Sequence, residues 1–399
     1  MSKPDEGGPP GRPQKPATQL VTGGRDPFGH HGYVNPPVYH ASTLLYRTAD
    51  DYLSHRSRYN YGRRGTPTSE SLSNAIAAIE GSNCAGVALL PSGLTAASVA
   101  LMSALKAGDH VLVTDTVYGP TRQFCNDVLQ AYGVTTTYYD PHIGSGIAAL
   151  FQPNTRAVYV ESPGSLTFEV QDVPAIAAAA HAGGALVLMD NTWASPIYFR
   201  ALEKGVDLSI QAGTKYIGGH SDVMLGTVSA NKTAWPALIG LVFAMGLCVG
   251  PDDMYLGLRG LRTLGVRLAQ HHSSALKVAR WLEGRPEIAR VLYPALPSHP
   301  DHALWKRDYT GASGLLSVIL KPMPKNAVHS LIEALSLFGI GVSWGGYESL
   351  VIPFDADAYR SVTRMTPTGP MLRFHVGLED VDDLIADLEH GFTVMAKLR

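Results

Sequence analysis

The stretch LVLMDNTWASPIYFRALEKGVDLSIQAGTKY, residues 186–216, decides the fold. It contains two short apolar runs, Leu186–Asp190 and Leu208–Gln211, continuous in the way of strands buried on both faces of a parallel sheet. Asp190 closes the first run, and Thr214 with Lys215 follows the second. In open α/β sheets ligands bind beyond the carboxyl ends of the strands, so these residues are the first candidates for a site.

The same alternation extends in both directions. Upstream, Thr68–Ile79 reads as a helix opened by Thr/Ser caps, with Ser69 three residues before Leu72 and with Ala75, Ile76 and Ile79 on one face. Gly86–Leu90 is a short strand, and Ser92 and Gly93 turn it into a helix over Leu94–Leu105. Strands follow at His110–Thr114, Thr135–Tyr139 and Ala157–Glu161, with helices at Gly119–Tyr132 and Val173–Ala182. Downstream, a connecting helix is expected over Val266–Trp281, then strands Leu315–Leu320 and Leu372–Val376 around a helix Ala327–Phe338. A last helix, Val381–Leu398, starts behind the acidic pair Glu379 and Asp380. The expected class is α/β with a mainly parallel sheet flanked by helices, followed by a smaller C-terminal α+β domain. The corresponding division is a disordered tail over 1–17, an arm over 18–66, a large domain over 67–260 and a C-terminal domain over 261–399.

Bulk properties narrow the function. The chain has 399 residues, 45% apolar and 17% charged, enough for a large core in two or three domains. Its 32 basic and 34 acidic residues leave a net charge of −2, which carries no footprint for nucleic acid or an anionic membrane, so a small molecule is the expected partner. Cys84, Cys125 and Cys248 are far apart and lack CxxC spacing, which suits a reducing cytoplasm better than a disulfide framework or a zinc site. The N-terminus is rich in Pro, Gly and charge and has no apolar core of a secretory signal. Trp235–Gly250 is 16 residues long with three glycines, short of the roughly 18 or more of a membrane span, and is expected as one or two buried helices.

Several residues have types that suit chemistry. A lysine placed after a buried strand, as Lys215 is, loses hydration; its pKa falls and the free amine can attack a carbonyl, although a loop lysine is the ordinary alternative. Asp190 at a strand end needs a cationic partner such as a pyridinium nitrogen, or else caps a helix. Ser92-Gly93-Leu94 can offer backbone amides to a phosphate at a helix N-terminus, though tight turns often look the same. Tyr61 and Arg63 supply a phenol and a guanidinium suited to a phosphate, or form a solvated basic turn. Tyr118 can stack on an aromatic ring or fill a core. Arg373, flanked by apolar residues in a strand, needs an anion: a substrate carboxylate or an internal salt bridge. His271 and His272 lie on a polar helical face, His299 and His302 in a Pro-rich loop and His220 after the lysine; none shows metal-ligand spacing, and no metal is expected. There is no GxSxG elbow, Walker loop or dinucleotide fingerprint.

Taken together the motifs resemble the Cys/Met-metabolism family of pyridoxal-phosphate enzymes, the trans-sulfuration branch of fold type I, from about residue 18 onward. The strings that carry the resemblance are YGRRGT (61–66), ESPGS (161–165), DNTWA (190–194), TKY (214–216) with Gly219-His220-Ser221-Asp222, LGLRGLRTLGV (256–266), SWGGYESL (343–350) and GLEDVDD (377–383). The resemblance implies pyridoxal 5'-phosphate held as a Schiff base on Lys215, with Asp190 at the ring nitrogen, Tyr118 stacked on the ring and Gly93, Leu94, Thr192 and Thr214 among the cofactor contacts. It implies that Tyr61 and Arg63 reach the phosphate of a neighbouring subunit, in an obligate dimer within a tetramer. It assigns proton transfer to Lys215, with Tyr118 or Tyr61 assisting, and the substrate carboxylate to Arg373, Ser343 and Trp344. Gly164 in ESPGS, Trp344, and Val342 where γ-specific relatives often carry Glu, favour β-elimination at the carbon–sulfur bond of L-cystathionine, giving homocysteine, pyruvate and ammonia in methionine biosynthesis. β-Lyases often carry Tyr at that position, so recognition of the distal part of the substrate stays open. A γ-lyase, γ-synthase or sulfhydrylase, a broader cysteine-conjugate lyase or cysteine desulfhydrase, and a non-catalytic cofactor-binding regulator are the alternatives.

Overall fold

A computed structural model describes residues 14–397. Seven strands form the main sheet: β1 Gly86–Leu90, β2 His110–Thr114, β3 Thr135–Tyr139, β4 Thr155–Glu161, β5 Leu186–Asp190, β6 Leu208–Gln211 and β7 Gly226–Ala230. Their order is β1-β7-β6-β5-β4-β2-β3, and only β7 runs against its neighbours. The carboxyl ends of β1, β2, β4, β5 and β6 therefore open on one edge. A second sheet of five strands, ordered β10-β11-β12-β9-β8, comprises β8 Ile288–Leu292, β9 Leu315–Leu320, β10 Gly339–Ile340, β11 Leu350–Phe354 and β12 Met371–His375.

The apolar runs in β4, β5 and β6 are buried from both sides. One core cluster links the sheet face carrying Val158, Val160, Val187 and Met189 to the second sheet through Val318, Leu372 and Phe374, and another packs Val113, Tyr159 and Ile210 under the helix Gly93–Ala104. This helix starts one residue before the expected Leu94 because Ser92 is its N-cap, its Oγ accepting the Thr95 N–H. The helix Pro67–Glu80 starts one residue earlier than the sequence reading, since Thr66 and Ser69 form a reciprocal capping box around Pro67. Residues Gly119–Leu129 are helical, with a π-helical segment over Phe124–Leu129.

Four expectations need correction. The connector begins at Pro251, not Val266, and runs unbroken to Glu283, crossing the 260/261 boundary expected between domains. Its interior glycines argue against helix on propensity alone, yet a Cβ on Gly260 would meet Gly218 O at 2.2 Å and Ile217 O at 2.3 Å, so close packing requires them. The apolar stretch after Trp235 forms a helix Trp235–Ala244 of which only Leu238 and Val242 are buried, because one face lies against the helix Gly93–Ala104 and the rest is uncovered in the single chain. His271 is fully buried rather than on a polar face; its ring lies 5.2 Å from that of His375 and 5.3 Å from that of Tyr216. Finally, β7, β8, β10 and β11 were not anticipated. The expected tail lies outside the described residues except for 14–17, of which Pro16 and Ala17 already begin the first helix, Pro16–Thr22. Among the described residues no helix is long and apolar enough to cross a membrane.

Candidate active site

The strand ends gather the candidates into one cleft. Lys215 follows β6 in a short loop, and its Nζ donates to Ser343 Oγ at 2.7 Å while lying 5.3 Å from the centre of the Trp344 ring. Gly345 makes this contact possible: its φ of 88° is left-handed, and a Cβ there would fall 2.9 Å from the Lys215 Cα. Burial, then the Arg373 guanidinium, push the Lys215 amine down to about 8 against the opposing pull of Asp190. Roughly one-tenth of such an amine is neutral at pH 7, far more than of an ordinary lysine, and the neutral form is the nucleophile.

Asp190 ends β5. Its Oδ1 accepts the Thr192 N–H at 3.0 Å and the Thr192 hydroxyl at 2.6 Å, and Thr192 Oγ1 in turn accepts the Ala212 N–H at 2.9 Å. This chain of bonds fixes the carboxylate relative to the Lys215 loop. Oδ2 has no donor among the described residues, and burial pushes the group up despite those bonds. A carboxylate held by one oxygen with the other free matches a cationic ring nitrogen.

The helix Gly93–Ala104 starts beside this loop: a Cβ on Gly93 would meet the Ala212 Cβ at 2.4 Å. The Gly93 and Leu94 N–H groups belong to its first turn, which has no intrahelical acceptors and so can offer donors to a phosphate. Thr214 Oγ1 is engaged with the backbone of Leu225, donating to its carbonyl at 3.1 Å and accepting its N–H at 3.0 Å. Tyr118 is half-exposed after β2, and burial, then Glu161 and Asp190, raise its phenol.

Arg373 lies in β12 of the second sheet, and its Nη2 donates to the carbonyls of Val342 at 2.6 Å and Ser343 at 3.1 Å. Nε is buried without an acceptor, and the partners of this guanidinium among the described residues are backbone carbonyls rather than carboxylates. An unpaired, buried guanidinium whose pKa burial lowers to about 10 is prepared for an incoming carboxylate. The free Asp190 oxygen, the helix amides, the depressed lysine and this guanidinium together fit pyridoxal phosphate carrying an amino acid.

Tyr61 and Arg63 are not brought to this cleft within the chain. Arg63 Nη1 donates to Phe243 O at 2.9 Å, and both residues line a separate cavity of about 390 Å³ with Cys248, Val249 and Met254. Sequence reasoning gave no role to Glu161, whose Oε2 accepts the Tyr118 N–H at 2.7 Å. Its signal was available: it closes β4 as Asp190 closes β5. It also missed Glu348, which accepts the Ser221 hydroxyl behind the Gly345-Gly346 turn and would have required tertiary information.

Comparison with known proteins bears on the family and the fold. Residues 17–393 match the family model described as Cys/Met metabolism PLP-dependent enzyme. A relative from Rhizobium johnstonii, provisionally named a cystathionine beta-lyase, is 53% identical over 94% of this chain and 95% of its own. Cystathionine beta-lyase MetC of Escherichia coli is 47% identical over 94% of this chain and 97% of its own. The crystal structure of metB from Corynebacterium glutamicum superposes with a TM-score of 0.89 at 31% identity, covering 95% of this chain and 98% of the other.

Proposed function

Because the chain belongs to the Cys/Met metabolism family of pyridoxal-phosphate-dependent enzymes, we propose that it is a carbon–sulfur β-lyase that cleaves L-cystathionine to homocysteine, pyruvate and ammonia. Relatives that bear the name cystathionine beta-lyase at up to 53% identity support the reaction. The observation that carries the catalytic assignment is the Lys215 amine, depressed to about 8 and bonded to Ser343 Oγ between Asp190 and Arg373.

Pyridoxal phosphate, when bound, supplies an electron sink for the electrons left by the α-proton. The residues of the chain do the rest. Arg373 takes the substrate carboxylate through Nε and its remaining donors, with Ser343 and Trp344 closing the pocket beside it. Asp190, held by Thr192, would keep the proton on the ring nitrogen, Tyr118 would stack on the ring, and Gly93, Leu94 and Thr214 would hold the phosphate. Lys215 Nζ, once free, would take the α-proton and hand a proton to the sulfur as the thiolate leaves Cβ. Tyr118 or Tyr61 assists. Val342, 80% exposed near the cleft, brings no charge to the distal amine of the substrate.

Tyr61 and Arg63 serve the cleft of a second copy, so the working unit is a dimer, assembled further as a tetramer. The arm is 18–66, the cofactor domain 67–260 and the remainder 261–399. Three free thiols suit the reducing cytoplasm as its compartment. The test is product analysis: purified holoprotein given cystathionine yields homocysteine and pyruvate. Cysteine with 2-oxobutyrate would place it among γ-cleaving enzymes instead, and Lys215→Ala retaining pyruvate release would refute the assignment of the lysine.

A further inference from the structure

One carboxyl group at the strand ends has no part in the reaction as written. Glu161 closes β4 and pairs in register with Asp190, which closes β5, so the two side chains leave the same face of the sheet on neighbouring strands. Glu161 Oε2 accepts the Tyr118 N–H at 2.7 Å, and this is its side chain's one hydrogen bond among the described residues. The segment that follows supports the same turn from a second side. Ser165 N–H donates to Thr116 O at 2.8 Å, and Gly164 approaches Thr116 so closely that a Cβ would meet its Oγ1 at 2.6 Å. Tyr118 depends on this seat, because it precedes the helix Gly119–Gln123 without a side-chain cap and the residue is 46% exposed.

We propose that Glu161 is a positioning residue for cofactor capture: it fixes the Tyr118 backbone, and with it the surface that receives the ring, as the uncharged neighbour of the Asp190 carboxylate. The inference rests on the reading of this cleft as the pyridoxal-phosphate site.

The charge assignment follows from the bonding. Two adjacent carboxylates in a mostly buried site repel, and a single ring-nitrogen cation balances only one of them. Asp190 receives two hydrogen bonds from Thr192 and feels Lys215, whereas Glu161 receives one. The anion therefore settles on Asp190 and the proton on Glu161, in keeping with burial and Asp190 raising Glu161 well above the usual carboxylate range. A neutral acid accepts an N–H through its carbonyl oxygen as an amide does, so glutamine can replace it and alanine cannot.

The experiment compares wild type, Glu161→Gln and Glu161→Ala by cofactor titration, by visible circular dichroism of the bound ring and by the unfolding midpoint of the apoprotein. Glu161→Ala is expected to bind pyridoxal phosphate roughly tenfold more weakly with a diminished visible signal, since it strands a backbone donor. Glu161→Gln is expected within about twofold of wild type in both, as the same bond persists. Wild-type behaviour of Glu161→Ala, or a Glu161→Gln as impaired as the alanine variant, overturns the proposal. If Glu161→Ala does not fold, Glu161→Asp withdraws the acceptor from the Tyr118 N–H by one methylene, and unimpaired binding there is equally fatal. Wild-type protein that binds no cofactor would sink the reading of the cleft itself, and this role with it.

Discussion

At the scale of single residues, the cleft is defined by groups that the fold leaves incompletely satisfied. Lys215 is the clearest. With its amine pulled down to about 8, chiefly by burial, the neutral fraction is lost on acidification, because the protonated form cannot attack an aldehyde. Capture of pyridoxal phosphate by apoprotein should therefore slow about tenfold per pH unit below 8 and level off above it. Stopped-flow absorbance tests this, and a rate still climbing steeply towards pH 10 would show an ordinary lysine. Arg373 offers a second case. Its buried Nε lacks an acceptor while Nη2 is tied to the Val342 and Ser343 carbonyls. Arg373→Lys keeps the charge and loses the fork, so KM for cystathionine should rise by roughly ten- to a hundredfold with a smaller change in kcat. Steady-state kinetics decides, and an unchanged KM would remove Arg373 from the carboxylate clamp.

At the scale of elements, the glycines of the long helix Pro251–Glu283 link packing to the site. Gly260 touches Gly218 O and Ile217 O, in the segment directly after Lys215. Gly260→Ala should cost roughly 1–3 kcal/mol by overpacking, seen as a lower unfolding midpoint, and should lower kcat by displacing the lysine loop. Gly265→Ala, whose Cβ meets only Leu20 Cδ1 at 3.0 Å, should do markedly less. Equal effects of the two would deny the coupling. The same helix shows what was legible in the sequence. Its first half carries glycines whose low propensity outweighs the apolar pattern until the partner surface at 217–218 is known. Strands β1, β2, β3, β5, β6 and β9 were readable to the residue because burial on both faces or clear turn residues bounded them. β7 was not, since GTVSA is nearly polar and gains its place only by running antiparallel between β1 and β6. Lys215, Asp190 and Arg373 were candidates by type and position, each with an ordinary alternative, and only the motifs around them singled them out. Glu161 stood at a strand end in the same way, but the particular role of its carboxyl follows only from its reach to the Tyr118 backbone.

At the scale of the whole molecule, a single chain leaves both surface and chemistry unfinished. Phe28, Tyr33, Val34, Leu45 and Leu53 of the arm are well exposed, as is one face of the helix Trp235–Ala244, and apolar area of this kind calls for a second copy. Arg63 stands against that helix, bonded to Phe243 O and to no residue of its own Lys215 loop among the described residues, which is the arrangement expected if it serves the neighbouring cleft. Subunit mixing distinguishes service in trans from service in cis. Lys215→Ala and Arg63→Ala are each expected to be nearly inactive alone. When the two chains are co-expressed and assemble at random, half the dimers are hybrids. In a hybrid, the cleft with an intact Lys215 receives an intact Arg63 from the other chain, while the second cleft lacks both. About a quarter of the wild-type activity should therefore return, following the statistics of a twofold assembly. If Arg63 instead acts on its own chain, every cleft in every dimer carries one defect and no activity returns.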